Sequence, residues 1–258
     1  MRYSIDISFD GTEYAGWQRQ PNAMTVQQRI EEALATYFRV EVPLTGAGRT
    51  DAGVHATQLT AHFDWEEPLP DSFLHSINGL LPYDIAVRNL NIPPDPEFHA
   101  RFSATERAYT YQIVRQKSPL HRKYAMWVRQ PLDVKLMQQA ADMLKEYKEF
   151  GSFCKAHADN HTNFCRIDRA EFEEREELLL FHIQADRFLR GMVRAIVGSL
   201  LWVGVGRWSL ENFRQAIEAQ DRSAAGPAAD AKGLFLVKVA YPDQPASGDK
   251  HLKQRESD

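Results

Sequence analysis

Gly46-Ala47-Gly48-Arg49-Thr50-Asp51-Ala52-Gly53-Val54-His55-Ala56 is the stretch on which the reading of this chain turns. Its three glycines and three alanines allow a backbone to approach a ligand closely, and Arg49 and Asp51 are its only permanent charges. A Walker phosphate loop would need Lys followed by Ser or Thr, and neither follows here. The residues alone leave two readings open: a tight loop in which Arg49 and Asp51 pair for structure, or a catalytic loop built around a carboxylate.

Outward from that loop the pattern alternates between strand and helix. Upstream, Tyr3, Ile5, Ile7 and Phe9 alternate with polar residues as a half-buried strand does. Thr25 followed by Gln28 opens a capping box, and Val26, Ile30, Ala33, Leu34, Tyr37 and Phe38 recur at helical spacing. Downstream, Leu59, Ala61, Phe63 and Trp65 return to period two, Asp71 is placed to cap a short helix ending at Leu81, and Ile85 to Ile92 reads as a strand. Pro93, Pro94 and Pro96 interrupt the chain, and Tyr109, Tyr111 and Ile113 open a second strand-led unit. That unit continues with a helix over Val134–Tyr147, a hairpin over Cys165–Phe172 and Leu178–Ala185, a long helix over Phe188–Val203, a capped helix over Ser209–Ala219 and a strand over Leu234–Tyr241. The expected fold is α+β: two similar lobes joined through one sheet, residues 1–100 carrying the Asp51 loop and residues 101–241 forming the second lobe. Residues 242–258 are polar without periodicity and read as a disordered tail.

Composition bounds the function. A chain of 258 residues with 43% hydrophobic and 26% charged residues is long enough for a sizeable core and is not a disordered polymer. Met1 to Asp10 lacks the basic start and apolar run of a secretion signal, which points to the cytoplasm. The longest mostly apolar uncharged stretch, Ala195–Gly206, is far too short to span a bilayer. Cys154 and Cys165 are the only cysteines, expected as thiols. Together with His157 and His161 they lie close enough to suggest a metal, but their spacing matches no familiar zinc motif, so no metal is expected. His55, His62 and His99 read as structural histidines.

The net charge of −4 argues against a polyanionic partner, but its distribution argues for one. Arg101 to Lys123 holds six bases and one acid, and Asp186 to Arg207 four arginines and one acid, whereas Glu171 to Glu177 holds five glutamates. One basic face on a mildly acidic body fits this pattern. Arg101, Arg107, Arg187 and Arg190 are candidate RNA contacts, with Arg187, Arg190 and Arg194 expected on one stripe of the long helix.

Further motifs follow one another in order: Asp10-Gly11-Thr12-Glu13-Tyr14-Ala15-Gly16-Trp17-Gln18-Arg19-Gln20 with Thr25-Val26-Gln27, then Phe98-His99-Ala100-Arg101-Phe102, Arg107-Ala108-Tyr109-Thr110-Tyr111, Met192-Val193-Arg194 and Gly233-Leu234. With Gly48–Ala56 they resemble the tRNA pseudouridine synthase A family over roughly Met1 to Tyr241. The resemblance implies a pseudouridine synthase fold of two ferredoxin-like (RRM-like) lobes sharing a mostly antiparallel sheet, with the active cleft between them. It implies a cytoplasmic homodimer that isomerises uridine to pseudouridine in the anticodon stem-loop of tRNA. It makes Asp51 the nucleophile, Tyr109 the ring that stacks on the target base and moves protons, and Arg194 the partner that holds Asp51. It also sets Arg49 beside the flipped nucleotide and Leu234 in the apolar wall. The chemistry is compatible with this: the isomerisation needs neither redox change nor energy input, so no cofactor is required, and one carboxylate can supply the nucleophile. Reaching a stacked uridine costs a few kcal/mol and calls for a basic channel and a stacking ring. The rival readings are a non-catalytic RNA-binding module of the same fold and a carboxylate hydrolase of nucleosides, for which the long basic segments would be superfluous.

Overall fold

The computed structural model describes residues 1–155 and 162–242, which form one nine-stranded sheet with helices packed against it. The first half runs β1 (Arg2–Phe9), α1 (Val26–Phe38), β2 (Thr45–Gly46), β3 (His55–Asp64), α2 (Phe73–Leu80) and β4 (Ile85–Asn91). The second runs β5 (Glu106–Val114), β6 (Met126–Trp127), α3 (Val134–Met143), β7 (Ile167–Arg175), β8 (Leu178–Ala185), α4 (Met192–Gly204), α5 (Leu210–Glu218) and β9 (Leu234–Ala240). Across the sheet the order is β4-β1-β3-β9-β5-β8-β7, with β2 on β3 and β6 on β5. The pairs are antiparallel except β3–β9 and β5–β6.

Each half threads strand-helix-strand-strand-helix-strand, the second with the short β6 and the helix α5 added, and in each the last strand lies beside the first and the two middle strands pair, the ferredoxin-like order. The halves meet where β2 stops short. Because β2 covers only Thr45 and Gly46, opposite His62 and Ala61, the rest of that edge of β3 is open, and β9 pairs there in parallel through His55–Phe235 and Ala56–Leu236. On its other side β9 pairs with β5, so one strand seams the molecule.

Periodicity supports the elements where it is strong. Tyr3, Ile5, Ile7 and Phe9 of β1 and Leu59, Ala61 and Phe63 of β3 are buried under α1 and α2 in one core. Tyr111, Ile113, Phe181, Ile183 and the apolar face of α4 fill a second core. The cores interlock: Val54 of the first half enters the second core, while Leu236 and Val239 of β9 enter the first.

Local departures from the sequence reading have identifiable causes. Thr25 caps α1 by accepting the Gln28 N–H at 3.3 Å, but the Gln28 side chain turns to Glu32, so the box is half closed. The N-cap of α2 is Ser72 rather than Asp71, and it makes no side-chain cap. The long helix begins at Met192, four residues later than expected, because Gly191 stands before it at φ +71° and turns the chain out of helical geometry. Arg187 and Arg190 therefore precede the helix and share no helical stripe with Arg194. The strands β2 and β6, two residues each, are too short to leave any periodicity.

Candidate active site

The Asp51 loop occupies the seam, between the short β2 and β3. Its backbone is buttressed by the segment after β1: Trp17 N–H donates to the Thr50 carbonyl at 3.3 Å, Gly53 N–H to the Tyr14 carbonyl at 3.3 Å, and Gly11 N–H to His55 Nδ1 at 3.0 Å. Gly16, at φ +95°, lies so close that a Cβ there would collide with the Thr50 carbonyl. Gly53 takes φ +77°, and Val54 N–H closes the turn on the Asp51 carbonyl at 3.2 Å. Two side chains turn their polar atoms inward here, Thr50 in the loop and His55 at the start of β3, whose ring lies buried against the Asp10 carboxylate at 3.1 Å.

Asp51 reaches from this loop to Arg194, on the first turn of α4 in the other half. Arg194 Nη1 donates to Asp51 Oδ2 at 3.0 Å, with side-chain exposures of 23% and 26%, so the pair is reachable from solvent yet partly desolvated. Arg194 Nε donates to the Ala229 carbonyl at 2.8 Å, and Ala229 N–H returns to the Arg194 carbonyl at 2.9 Å. The guanidinium is fixed at both ends and the carboxylate has one orientation imposed on it.

Tyr109 stands on β5, the strand next to β9, and packs against both cores. Phe188 meets its ring edge-on at 5.2 Å. Burial pushes its phenol up to about 12, opposed by Arg107 and reinforced by the Asp51 charge. The hydroxyl therefore stays protonated at neutral pH, and it has no hydrogen bond among the described residues.

The other expected contacts divide. Arg49 and Arg101 are exposed and have no ion pair among the described residues, and neither have Arg187, half-buried, and Arg190, exposed. Leu234 is buried at the start of β9 opposite Tyr111. Arg107 turns inward: Nη1 donates to the Ala104 and Asp186 carbonyls at 3.1 and 2.9 Å, and Nη2 to the Ala47 and Arg101 carbonyls at 3.3 and 2.7 Å. Its terminal donors are thus spent on protein, tying the Asp51 loop to two neighbouring segments. Phe188, the Ala229 carbonyl and this stapling by Arg107 left no signal in spacing, while the buttress of Gly16 and Trp17 lies inside a motif the sequence already displayed. His157 and His161 lie outside the described residues; Cys154 and Cys165 are buried, and burial pushes the Cys165 thiol up to about 12.

A family model described as tRNA pseudouridine synthase matches residues 7–103 and 140–242, which takes in Asp51, Arg101 and Arg194. The chain belongs to that family. Proteins named tRNA pseudouridine synthase A resemble it along nearly their whole length: one from Parabacteroides distasonis is 50% identical over 94% of this chain and 97% of its own. One from Bacteroides fragilis is 49% identical over 95% and 98%. A third, from Porphyromonas gingivalis, is 45% identical over 93% and 97%. Membership accounts for the α+β architecture with its large, mostly antiparallel sheet.

Proposed function

We propose that the protein isomerises uridine to pseudouridine in the anticodon stem-loop of tRNA, with Asp51 as nucleophile. The observation that carries this reading is the pairing of Asp51 with Arg194 at 3.0 Å, across the seam between the halves, in a chain of this family. The reaction breaks the N1–C1′ bond of uridine, turns the base, joins C5 to C1′ and moves the C5 proton to N1, so nothing enters or leaves. The Asp51 carboxylate can open it by attack on base C6 or on ribose C1′. Arg194 holds the carboxylate in line, and Tyr109 presents a ring to the turned-out base and a neutral hydroxyl to its protons. Arg49, Leu234 and the exposed cations at Arg101, Arg187 and Arg190 supply the surroundings of the nucleotide and its phosphates. The reading needs no cofactor and no metal.

We assign the reaction to the cytoplasm and the working unit to a homodimer in which one RNA touches both subunits, as the family resemblance implies. No helix among the described residues is long and apolar enough to cross a membrane. The decisive test is Asp51→Asn, which keeps volume and hydrogen bonding and removes the nucleophilic charge. An unmodified tRNA transcript should bind as to the wild type while pseudouridine formation falls to background. Turnover by the variant, with reversion to Asp excluded by mass spectrometry, would refute the assignment. Sedimentation with and without tRNA reads the oligomer.

A further inference from the structure

An aromatic ring left in water normally forfeits about 1.5–3 kcal/mol that burial would supply, so one that is both exposed and held in place asks for a reason. Phe102 is 75% exposed. Tyr83 is still more exposed at 108%, but it has no ring or cation neighbour among the described residues, as expected of a solvated side chain. Phe102 is different. The His99 ring packs on it at 4.4 Å, and the Arg101 guanidinium lies over its face at 5.5 Å from the centroid.

The turn that presents Phe102 is tied from four directions. His99 Nδ1 accepts the N–H groups of Arg101 and Phe102 at 3.2 and 3.4 Å, and Ser103 exchanges two hydrogen bonds with His99, N–H to carbonyl at 2.8 Å and hydroxyl from the His99 N–H at 2.9 Å. Beneath, buried His62 accepts the Ala100 N–H at 3.1 Å, and Tyr241 Oη donates to the Ala100 carbonyl at 2.7 Å. The ring is thus preorganised, and little ordering remains to be done when something stacks on it. Its position is equally defined: the Arg107 nitrogen that donates to the Arg101 carbonyl donates also to the carbonyl of Ala47, at the start of the loop that carries Asp51. The platform therefore flanks the catalytic loop.

We propose that Phe102, with Arg101 against its face, is a stacking platform that receives an unpaired base of the RNA next to the uridine being isomerised. An exposed ring beside an unpaired cation is the combination that single-stranded nucleic acid recognises: the base covers the ring and the guanidinium meets the phosphate or the base edge. The inference rests on the protein acting on RNA, as set out above, and goes beyond it in assigning a second base and the residue that takes it.

The test uses the full chain, an unmodified tRNA transcript, and dissociation constants measured over a range of salt. Phe102→Ala should weaken binding by about five- to hundredfold with the thermal midpoint unchanged and the slope of log affinity against log salt unchanged, because no phosphate contact is lost. Phe102→Trp, which keeps a π-face, should bind within threefold of the wild type. Arg101→Ala should lower the salt slope by about one unit. Affinity of Phe102→Ala within twofold of the wild type, failure of Trp to restore what Ala loses, or a change of oligomeric state in place of affinity would overturn the platform. Wild-type protein that fails to convert uridine in the same transcript would refute the functional reading instead, so the two failures are distinguishable.

Discussion

The two halves of the molecule follow the same thread and differ most at one place, the connection between their second and third strands. In the second half, β7 and β8 are long, paired from Ile167–Ala185 to Arg175–Leu178, and joined by Glu176 and Glu177 alone. In the first half, the matching second strand is cut to Thr45 and Gly46, and the connection grows to residues 47–54, with Asp51 near its middle. Truncation does two things at once: it frees the chain to form a loop and uncovers the edge of β3 on which β9 docks. The Asp51 loop and the seam share a cause, which is why Asp51 finds its arginine in the other half rather than its own. A closed hairpin buries its backbone polar groups and leaves nothing to react; an interrupted one exposes a loop that the neighbouring domain can hold.

The sharpest way to probe this division is to alter what the second half lends to the loop. Tyr109→Phe keeps the ring and removes the hydroxyl. With a phenol that burial holds protonated at neutral pH and that has no hydrogen bond among the described residues, turnover should fall by roughly 10² to 10⁴ while the tRNA dissociation constant changes by less than about threefold. Near wild-type turnover would reduce Tyr109 to a stacking ring. Arg194→Lys is the milder intervention. Lysine keeps the charge but cannot hold Asp51 and the Ala229 carbonyl with a rigid fork, so kcat should fall about ten- to hundredfold with binding preserved. Equal loss of kcat and affinity would show that the pair docks RNA rather than aligning a carboxylate.

The same division explains what was legible in the sequence. Strands with one buried face announced themselves through Tyr3 to Phe9 and Tyr109 to Ile113, whereas the glycine-rich run around Asp51 left a structural and a catalytic reading open, and only its resemblance to a family motif singled out the carboxylate. Arg194 was legible only through resemblance, since a contact between residues 143 positions apart leaves no local spacing. Arg107 shows the limit of counting charge: it adds to the basic run from Arg101 to Lys123, yet its donors turn to backbone carbonyls, and Arg115 in the same run is paired with Glu174 at 2.7 Å. Arg187 and Arg190 looked helical because Leu189, Met192, Val193 and Ile196 share a face, but a single glycine at positive φ outweighed that periodicity. Sequence patterns record which residues want burial; they do not record where a long side chain sends its head group.

A third experiment isolates the first half through pH. His62 lies buried on β3, its Nδ1 accepting the Ala100 N–H, and burial, aided by Arg2 and His99, lowers its pKa from 6.5 to about 4, with Asp64 acting in the opposite sense. The folded protein therefore refuses a proton that the unfolded chain binds below about pH 6.5. Stability is intact above that pH and is lost as pH falls toward 4, by roughly 2–3 kcal/mol from this group. Denaturant unfolding at pH 7 and at pH 4.5 measures the loss, and His62→Gln, which still offers an acceptor but does not titrate, should remove the His62 share and leave what His55 and His99, which burial also pushes down, contribute. An unchanged pH dependence in that variant would place the acid sensitivity elsewhere.

The smallest effect is expected at the counterpart of the Asp51 loop, the closed turn of the second half. Glu176 adopts φ +50°, which costs a side-chain-bearing residue about 1–2 kcal/mol. Glu176→Gly removes that cost but adds about 0.5–1 kcal/mol of backbone entropy to the unfolded state, so the two terms nearly cancel and leave a gain of up to about 1 kcal/mol. The thermal midpoint should rise by about 1–3 °C, as a scan calorimeter would read, and pseudouridine formation should stay within twofold of the wild type. If the chemistry resides where the hairpin is interrupted, the closed hairpin tolerates the change. A tenfold drop in turnover with the midpoint maintained would mean that this hairpin also meets the RNA, and the asymmetry between the halves would then be one of position along the substrate rather than of function.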